Sequence, residues 1–198
     1  MDKEPLKILL AGDSFAAPWP GPGFGWPRML ADKYTVTNVA QAGVSEYKIL
    51  KQIERADVES FDCVIISHTS PNRLHTPNHP VHKTELHKDC DLIYADVENK
   101  RSWFNPSLSA AKGWFEYHYD QEYQNDIYKL IRKRIQEKIT VPYISLNNLE
   151  ASLPFVIETN SIDFSALWQT ERGAVNHYTL SGNKTVFCTV DLAIQRIV

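Results

Sequence analysis

The sequence predicts an α/β fold: a three-layer α/β/α sandwich whose central sheet is mostly parallel and has four to five strands. Two observations carry this. Short apolar runs alternate along the chain with segments whose apolar residues recur at helical spacing, and strands separated by helices join as parallel crossovers. The clearest runs are also continuous rather than alternating, as suits strands buried on both faces.

The first strand is "LKILLA" at 6–11, stopped by Gly12. The second is the β-branched, alternating "YTVTNVA" at 34–40. "FDCVIISHT" at 61–69 and "VPYISLNN" at 141–148 are the third and fourth, and "PFVIE" at 154–158 is a weaker fifth. A short helix fits 25–33. "SEYKILKQIERA" places Tyr47, Ile49, Leu50 and Ile53 on one helical face with Ser45 as the cap. A long amphipathic helix spans 120–139 and turns Ile127, Leu130, Ile131 and Ile135 inward. A last helix covers 180–197, capped by Thr179. The stretch 76–107, rich in proline turns and histidine, reads as an irregular insertion over one edge of a single domain, 1–198; loops of this length are usually functional.

Composition bounds the function. The 198 residues suit one domain, and 43% hydrophobic with 23% charged residues is ordinary for a globular chain. Net charge is −3 and no basic stripe emerges, so nucleic acid is not an expected partner. The densest basic run, "KLIRKRIQEK" at 129–138, reads as the wet face of a helix. Cys63, Cys90 and Cys188 have no close pairing; Cys63 and Cys188 fall in apolar segments and read as packed thiols, which favours a reducing compartment. No signal-peptide core and no membrane-length window is present, so the expectation is a cytoplasmic protein without a membrane partner.

In a parallel sheet, ligands bind at the loops leaving the carboxyl ends of the strands. Three such loops carry polar chemistry: "GDSFAAPWPGPGFGW" after the first strand, "QAGVSEY" after the second and "HTSPNRLH" after the third. A serine hydroxyl becomes a nucleophile only with a base in reach and donors for the oxyanion. Ser14 stands at the first edge. Gly43 offers a backbone N–H where a side chain would obstruct, Asn72 offers an amide NH₂, and His177, just before the last helix, offers the base. Asp13 reads as a residue that steers the turn.

The set "GDSF" at 12–15, the glycine of "QAGVS", the asparagine of "SPNR" and the histidine of "NHYTLSGN" resembles the SGNH (GDSL-type) hydrolase family. The four blocks follow in the family's order along nearly the whole chain. The resemblance implies a flavodoxin-like fold and a serine hydrolase of small acyl esters. Ser14 and His177 would be catalytic, Ser14, Gly43 and Asn72 would form the oxyanion hole, and no cofactor would be needed. Because carbohydrate esters are common substrates in that family, O-acetyl groups of a glycan are the expected target, with a small-molecule or glycan ester as the expected partner and the oligomeric state open.

Two blocks depart from the pattern. The third is Ser70-Pro71-Asn72-Arg73 where Gly-x-Asn-Asp is usual, and the last has Ala174 where an aspartate usually orients the histidine. Asn176, Asp163, Glu171 or a carbonyl can take over that role. The alternative is a non-catalytic or acyltransferase-like relative that binds a glycan or acyl ligand; a nucleotide binder is a weaker reading, since no Gly-rich phosphate cradle follows the first strand. Arg73 at the edge suits an anionic substrate group or a structural ion pair. Trp19, Trp26, Trp103 and Trp114 suit stacking on a sugar or the pinning of loops. His75, His79, His82 and His87 cluster without a metal-binding spacing, so no metal is expected.

Overall fold

A computed structural model of the chain describes residues 4–20, 25–98, 104–173 and 177–198. Four of the apolar runs form strands close to where they were expected: β1 (Lys7–Gly12), β2 (Thr35–Asn38), β3 (Cys63–His68) and β4 (Tyr143–Asn147). The fifth strand differs. "PFVIE" is not extended; Glu150–Phe155 forms a 3-10 turn with Pro154 inside it, and proline cannot donate to a ladder. The edge strand is instead the short β5 (Ser161–Asp163).

All four strand pairings are parallel, in the order β2-β1-β3-β4-β5. Helices α1 (Trp26–Ala31) and α7 (Leu180–Ile197) cover one face, where Ile8, Leu10, Ile65, Ile144 and Leu146 pack with Trp26, Leu30, Val186, Val190 and Ile194. Helices α2 (Glu46–Arg55) and α5 (Gln121–Lys138) cover the other, against Leu9, Ala11, Val64 and Ile66. The result is the three-layer α/β/α sandwich with flavodoxin-like strand order. From β1 the chain first steps outward to β2, then crosses back to β3. The order therefore reverses between β1 and β3, and the crevice beyond their carboxyl ends is where such sheets bind ligands.

Between β3 and α5 the chain forms α3 (Tyr94–Glu98) and α4 (Pro106–Tyr117), which bury Leu92, Val97, Leu108 and Ala111 in a small core of their own. Helix α4 lies at the end of the stretch read as irregular. Its start signal is local: Asn105 Oδ1 accepts from the N–H groups of Ser107 and Leu108, and proline occupies the first turn. Thr179 caps α7 as expected, accepting from Gly182 N–H at 3.1 Å. Ser45 precedes α2 but makes no cap bond with its hydroxyl, which is buried and unbonded among the described residues. No described helix is long and apolar enough to cross a membrane.

Three side chains sit opposite to expectation. On α7 the buried positions are 182, 186, 190 and 194, so Cys188 faces outward, while Cys90 is buried. On α5, Leu130 is exposed, and Arg132, from the run read as a wet face, is 0% exposed. Arg132 Nη2 donates to Glu158 Oε2 at 2.7 Å and Nη1 to Asn147 Oδ1 at 2.9 Å. His68 lies beside it, with Nδ1 2.5 Å from Glu46 Oε1 and Nε2 3.1 Å from Ser145 Oγ. This buried polar layer ties the carboxyl ends of β3 and β4 to α5 and to the first residue of α2. Burial pushes the Glu158 carboxyl up, but His68 and Arg132 outweigh it and hold it below the usual range.

Removing one partner of a buried ion pair strands the other charge in a medium that solvates it poorly. Arg132→Ala is therefore expected to lower unfolding stability by about 3–5 kcal/mol, read from urea midpoints. A loss below about 1 kcal/mol would show that Glu158 and Glu46 do not need Arg132.

Candidate active site

The site begins at Gly12, the last residue of β1. Its φ is +148°, and a Cβ there would stand 2.6 Å from both Cβ and O of Ser67 on the neighbouring strand, so only glycine allows β1 and β3 to run together to their ends. The chain then turns sharply. Asp13 N–H donates to Ser67 O, Ala16 N–H donates to Asp13 O at 3.1 Å, and Phe15 N–H donates to Asp13 Oδ1 at 3.1 Å. This Asx turn leaves Ser14 at the tip, with its N–H and its Oγ bonded to no described residue. Trp19 Nε1 donates to Ser14 O at 2.7 Å and braces the tip from behind.

A cavity of about 510 Å³ opens at this point. Its wall includes Asp13, Ser14, Asn72, Arg73, Trp168, Arg172 and His177, with Ile93, Tyr94 and Ala95 from the insertion. Ser14, Asn72 and His177 thus share one cavity, at the strand-order reversal. The His177 ring lies between two aromatic rings, with centroids 5.2 Å from Phe15 and 5.0 Å from Trp19. Asn72 uses its Oδ1 to accept from Tyr119 O–H (2.8 Å) and Gln121 Nε2 (3.1 Å), which fixes the amide and keeps its NH₂ as a donor bonded to no described residue.

Gly43 does not line this cavity. It has φ +74°, and a Cβ there would meet Cys90 Sγ at 2.3 Å. Its carbonyl accepts from Asp91 N–H (2.9 Å) and Arg73 Nη1 (3.0 Å), while its own N–H donates to no described residue. Of the groups considered for orienting His177, Asp163 Oδ1 accepts from Ser165 N–H at 2.7 Å at the head of α6 (Ser165–Thr170), and Glu171 accepts from the Thr179 hydroxyl. Asn176, like Ala174, lies outside the described residues. Gly173 N–H donates to His177 O at 2.5 Å, which holds the backbone of His177 beside that of Gly173.

The tryptophans divide. Trp26 is 1% exposed, a core residue whose indole N–H donates to Phe15 O, so its ring is closed to a ligand. Trp19 backs Ser14 and His177 rather than lining the cavity, Trp114 lines a separate pocket beside Tyr123 and Tyr128, and Trp103 lies outside the described residues. Two wall residues had no sequence signal: Trp168, at the end of α6, and Arg172, whose guanidinium lies 4.4 Å from the Trp168 ring centroid. They fall in a stretch without periodicity or motif.

The histidines of the insertion form a clamp. His79, His82 and Asp96 bring ligand-type atoms within 4.8 Å of one another. However, His79 Nδ1 accepts from the N–H groups of Val81 (3.1 Å) and His82 (3.0 Å). The proton of the neutral ring is then on Nε2, 3.5 Å from Asp96 Oδ2, and that nitrogen has no lone pair to give a metal.

Beneath Ser14, Asp13 is 1% exposed. Its Oδ1 also accepts from Ser67 O–H at 3.0 Å; Ser67 Oγ accepts from Asn148 Nδ2 at 2.9 Å, and Asn148 Oδ1 accepts from Tyr178 O–H at 2.7 Å. This buried chain links the residue before Ser14 to the residue after His177. Asp13 Oδ2 has no described partner. Burial pushes the Asp13 carboxyl up to about 6, against the opposing pull of Arg73 and the bonds from Phe15 and Ser67. No family model matches the chain, and no curated protein matches it.

A carboxyl whose folded pKa is raised contributes stability that is complete below its unfolded value, near 4, and is lost as pH rises through about 6. Relative to Asp13→Asn, wild type is expected to lose roughly 3 kcal/mol between pH 4 and pH 7. Urea midpoints of both proteins across that interval test this; parallel curves would mean that Asp13 ionises freely.

Proposed function

We propose that the chain is a cytoplasmic serine esterase that removes small acyl groups, O-acetyl on a glycan foremost, through an acyl-enzyme on Ser14. One observation carries the reading. Ser14, Asn72 and His177 come from opposite ends of the chain into one cavity at the strand-order reversal, and the Ser14 N–H and Asn72 NH₂ remain available as donors. This supports the resemblance to SGNH hydrolases noted from the sequence.

In this scheme His177 takes the Ser14 proton as Oγ bonds the ester carbonyl carbon. The carbonyl electron pair moves to oxygen, where the Ser14 N–H and the Asn72 amide stabilise it; Gly43, outside the cavity wall, takes no part. Collapse breaks the bond to the alcohol, which leaves with the proton from His177. Water then attacks the acyl-enzyme, giving a proton to His177; the acyl–Oγ bond breaks, Ser14 Oγ takes that proton from His177, and the carboxylic acid leaves. The chemistry calls on side chains and backbone only.

With p-nitrophenyl acetate, Ser14→Ala and His177→Ala are expected to lower kcat/KM by about 10³-fold or more, and Asn72→Ala by about 10²-fold. Fluorophosphonate labelling should fall on Ser14 alone. If wild type turned over neither this ester nor a panel of acetylated sugars faster than Ser14→Ala, the esterase reading would fail.

A further inference from the structure

The cavity wall carries two guanidinium groups, those of Arg73 and Arg172. Neither Arg73 nor Arg172 has a carboxylate within 4.0 Å among the described residues. Arg73 is held by neutral acceptors: Nε donates to Thr69 Oγ1 at 2.9 Å and Nη1 to Gly43 O at 3.0 Å. That leaves the Nη2 end of the fork bonded to no described residue. Arg172 is supported by stacking on Trp168, which packs edge-on against Phe15 at 6.4 Å. Stacking orients a guanidinium without using its N–H donors.

Among the described wall residues the only acidic one is Asp13, which is 1% exposed and engaged from below by Phe15 and Ser67. Even with Asp13 ionised, two cations face one anion, and the chain as a whole carries −3, so the positive cavity runs against the molecule's overall charge. A volume of about 510 Å³ admits a ligand of monosaccharide size.

We propose that this cavity selects an anionic ligand: an ester whose acyl or alcohol half bears a carboxylate or phosphate, which Arg73 and Arg172 bind while the ester bond lies at Ser14. The assignment of the ester rests on the esterase reading; the anion site does not. Pre-placed guanidinium forks match the planar oxygens of a carboxylate or the oxygens of a phosphate.

The test uses three acetate esters: 4-acetoxybenzoate, its neutral counterpart methyl 4-acetoxybenzoate, and 4-acetoxyphenyl phosphate. Binding to Ser14→Ala is followed by calorimetry at low salt, so that no turnover is needed. The two anionic esters are expected to bind at least about tenfold tighter than the neutral one, with the advantage shrinking in high salt. Adding Arg172→Gln, or Arg73→Gln, should cut the anionic-to-neutral ratio about fivefold or more. Arg172 makes no described hydrogen bond, so its variant stays informative even if loss of the Arg73 bonds disturbs the loop. In active protein the same ratio is read in kcat/KM, each ester normalised to its spontaneous hydrolysis. Equal binding of anionic and neutral esters, no binding of any, or a ratio indifferent to both substitutions would overturn the proposal. Anion binding without hydrolysis would sink the esterase reading alone, and the stronger of the two anionic ligands identifies the group recognised.

Discussion

Asp13 is a carboxyl group with almost no contact with water, and the carboxyl edge of the sheet is organised around the bonds to its Oδ1, while Oδ2 has no partner among the described residues. A buried carboxyl without partners is costly, so the fold supplies them: the Phe15 N–H from its own turn and the Ser67 hydroxyl from β3. Ser67 is itself tied to Asn148 past the end of β4, and Asn148 to Tyr178. Four segments distant in sequence thereby share one hydrogen-bonded chain. Its two ends flank Ser14 and His177, so the separation of those two groups depends on buried bonds rather than on the loops that carry them.

The opposite face of the sheet uses the same device with ionisable side chains. Glu46, His68, Arg132 and Glu158 occupy positions that a simpler fold would fill with aliphatic side chains. Tyr128 donates to Thr69 O at 2.6 Å from the same helix as Arg132. Thr69 in turn holds Arg73, whose Nη1 reaches the Gly43 carbonyl. The polar layer thus extends from the core to the cavity rim and positions the third loop, which carries Asn72, relative to the second. Asp91 does similar work for the insertion: its carboxylate accepts from Ser45 N–H and Thr76 N–H and pairs with Lys48 at 2.8 Å. That anchorage fixes the base of a segment whose Ile93, Tyr94 and Ala95 close one side of the cavity.

The cavity combines a nucleophile-type serine, a histidine braced by aromatic rings, and two guanidinium groups. In the proposed reading, ester cleavage uses the first two and the last two add charge selection. Trp168 and Phe15 contribute to both, since Phe15 contacts His177 and Trp168 carries Arg172.

Strand and helix identity was readable because it follows from local repetition: a continuous apolar run suits a strand covered on both faces, and a 3.6-residue stripe suits a helix covered on one. The convergence of Ser14, Asn72 and His177 on one edge was readable because each lies in a loop next to a strand or helix whose direction was already determined. Helix phase failed at Arg132 and Leu130, because on α5 the inward face is chosen by what it meets, and Glu158 and Asn147 wait there for a cation. "PFVIE" failed because an apolar run says nothing of whether a neighbouring strand has room for it. Trp168 and Arg172 were silent in the sequence, as no spacing relates them to Ser14. The chain's linear pattern therefore determined the sandwich, the order of its strands' loops and the serine at the edge. Tertiary structure alone decided which buried carboxyl that serine stands on, which arginines face it and which tryptophan supports them, because each of those depends on desolvation and contact between segments far apart in the chain.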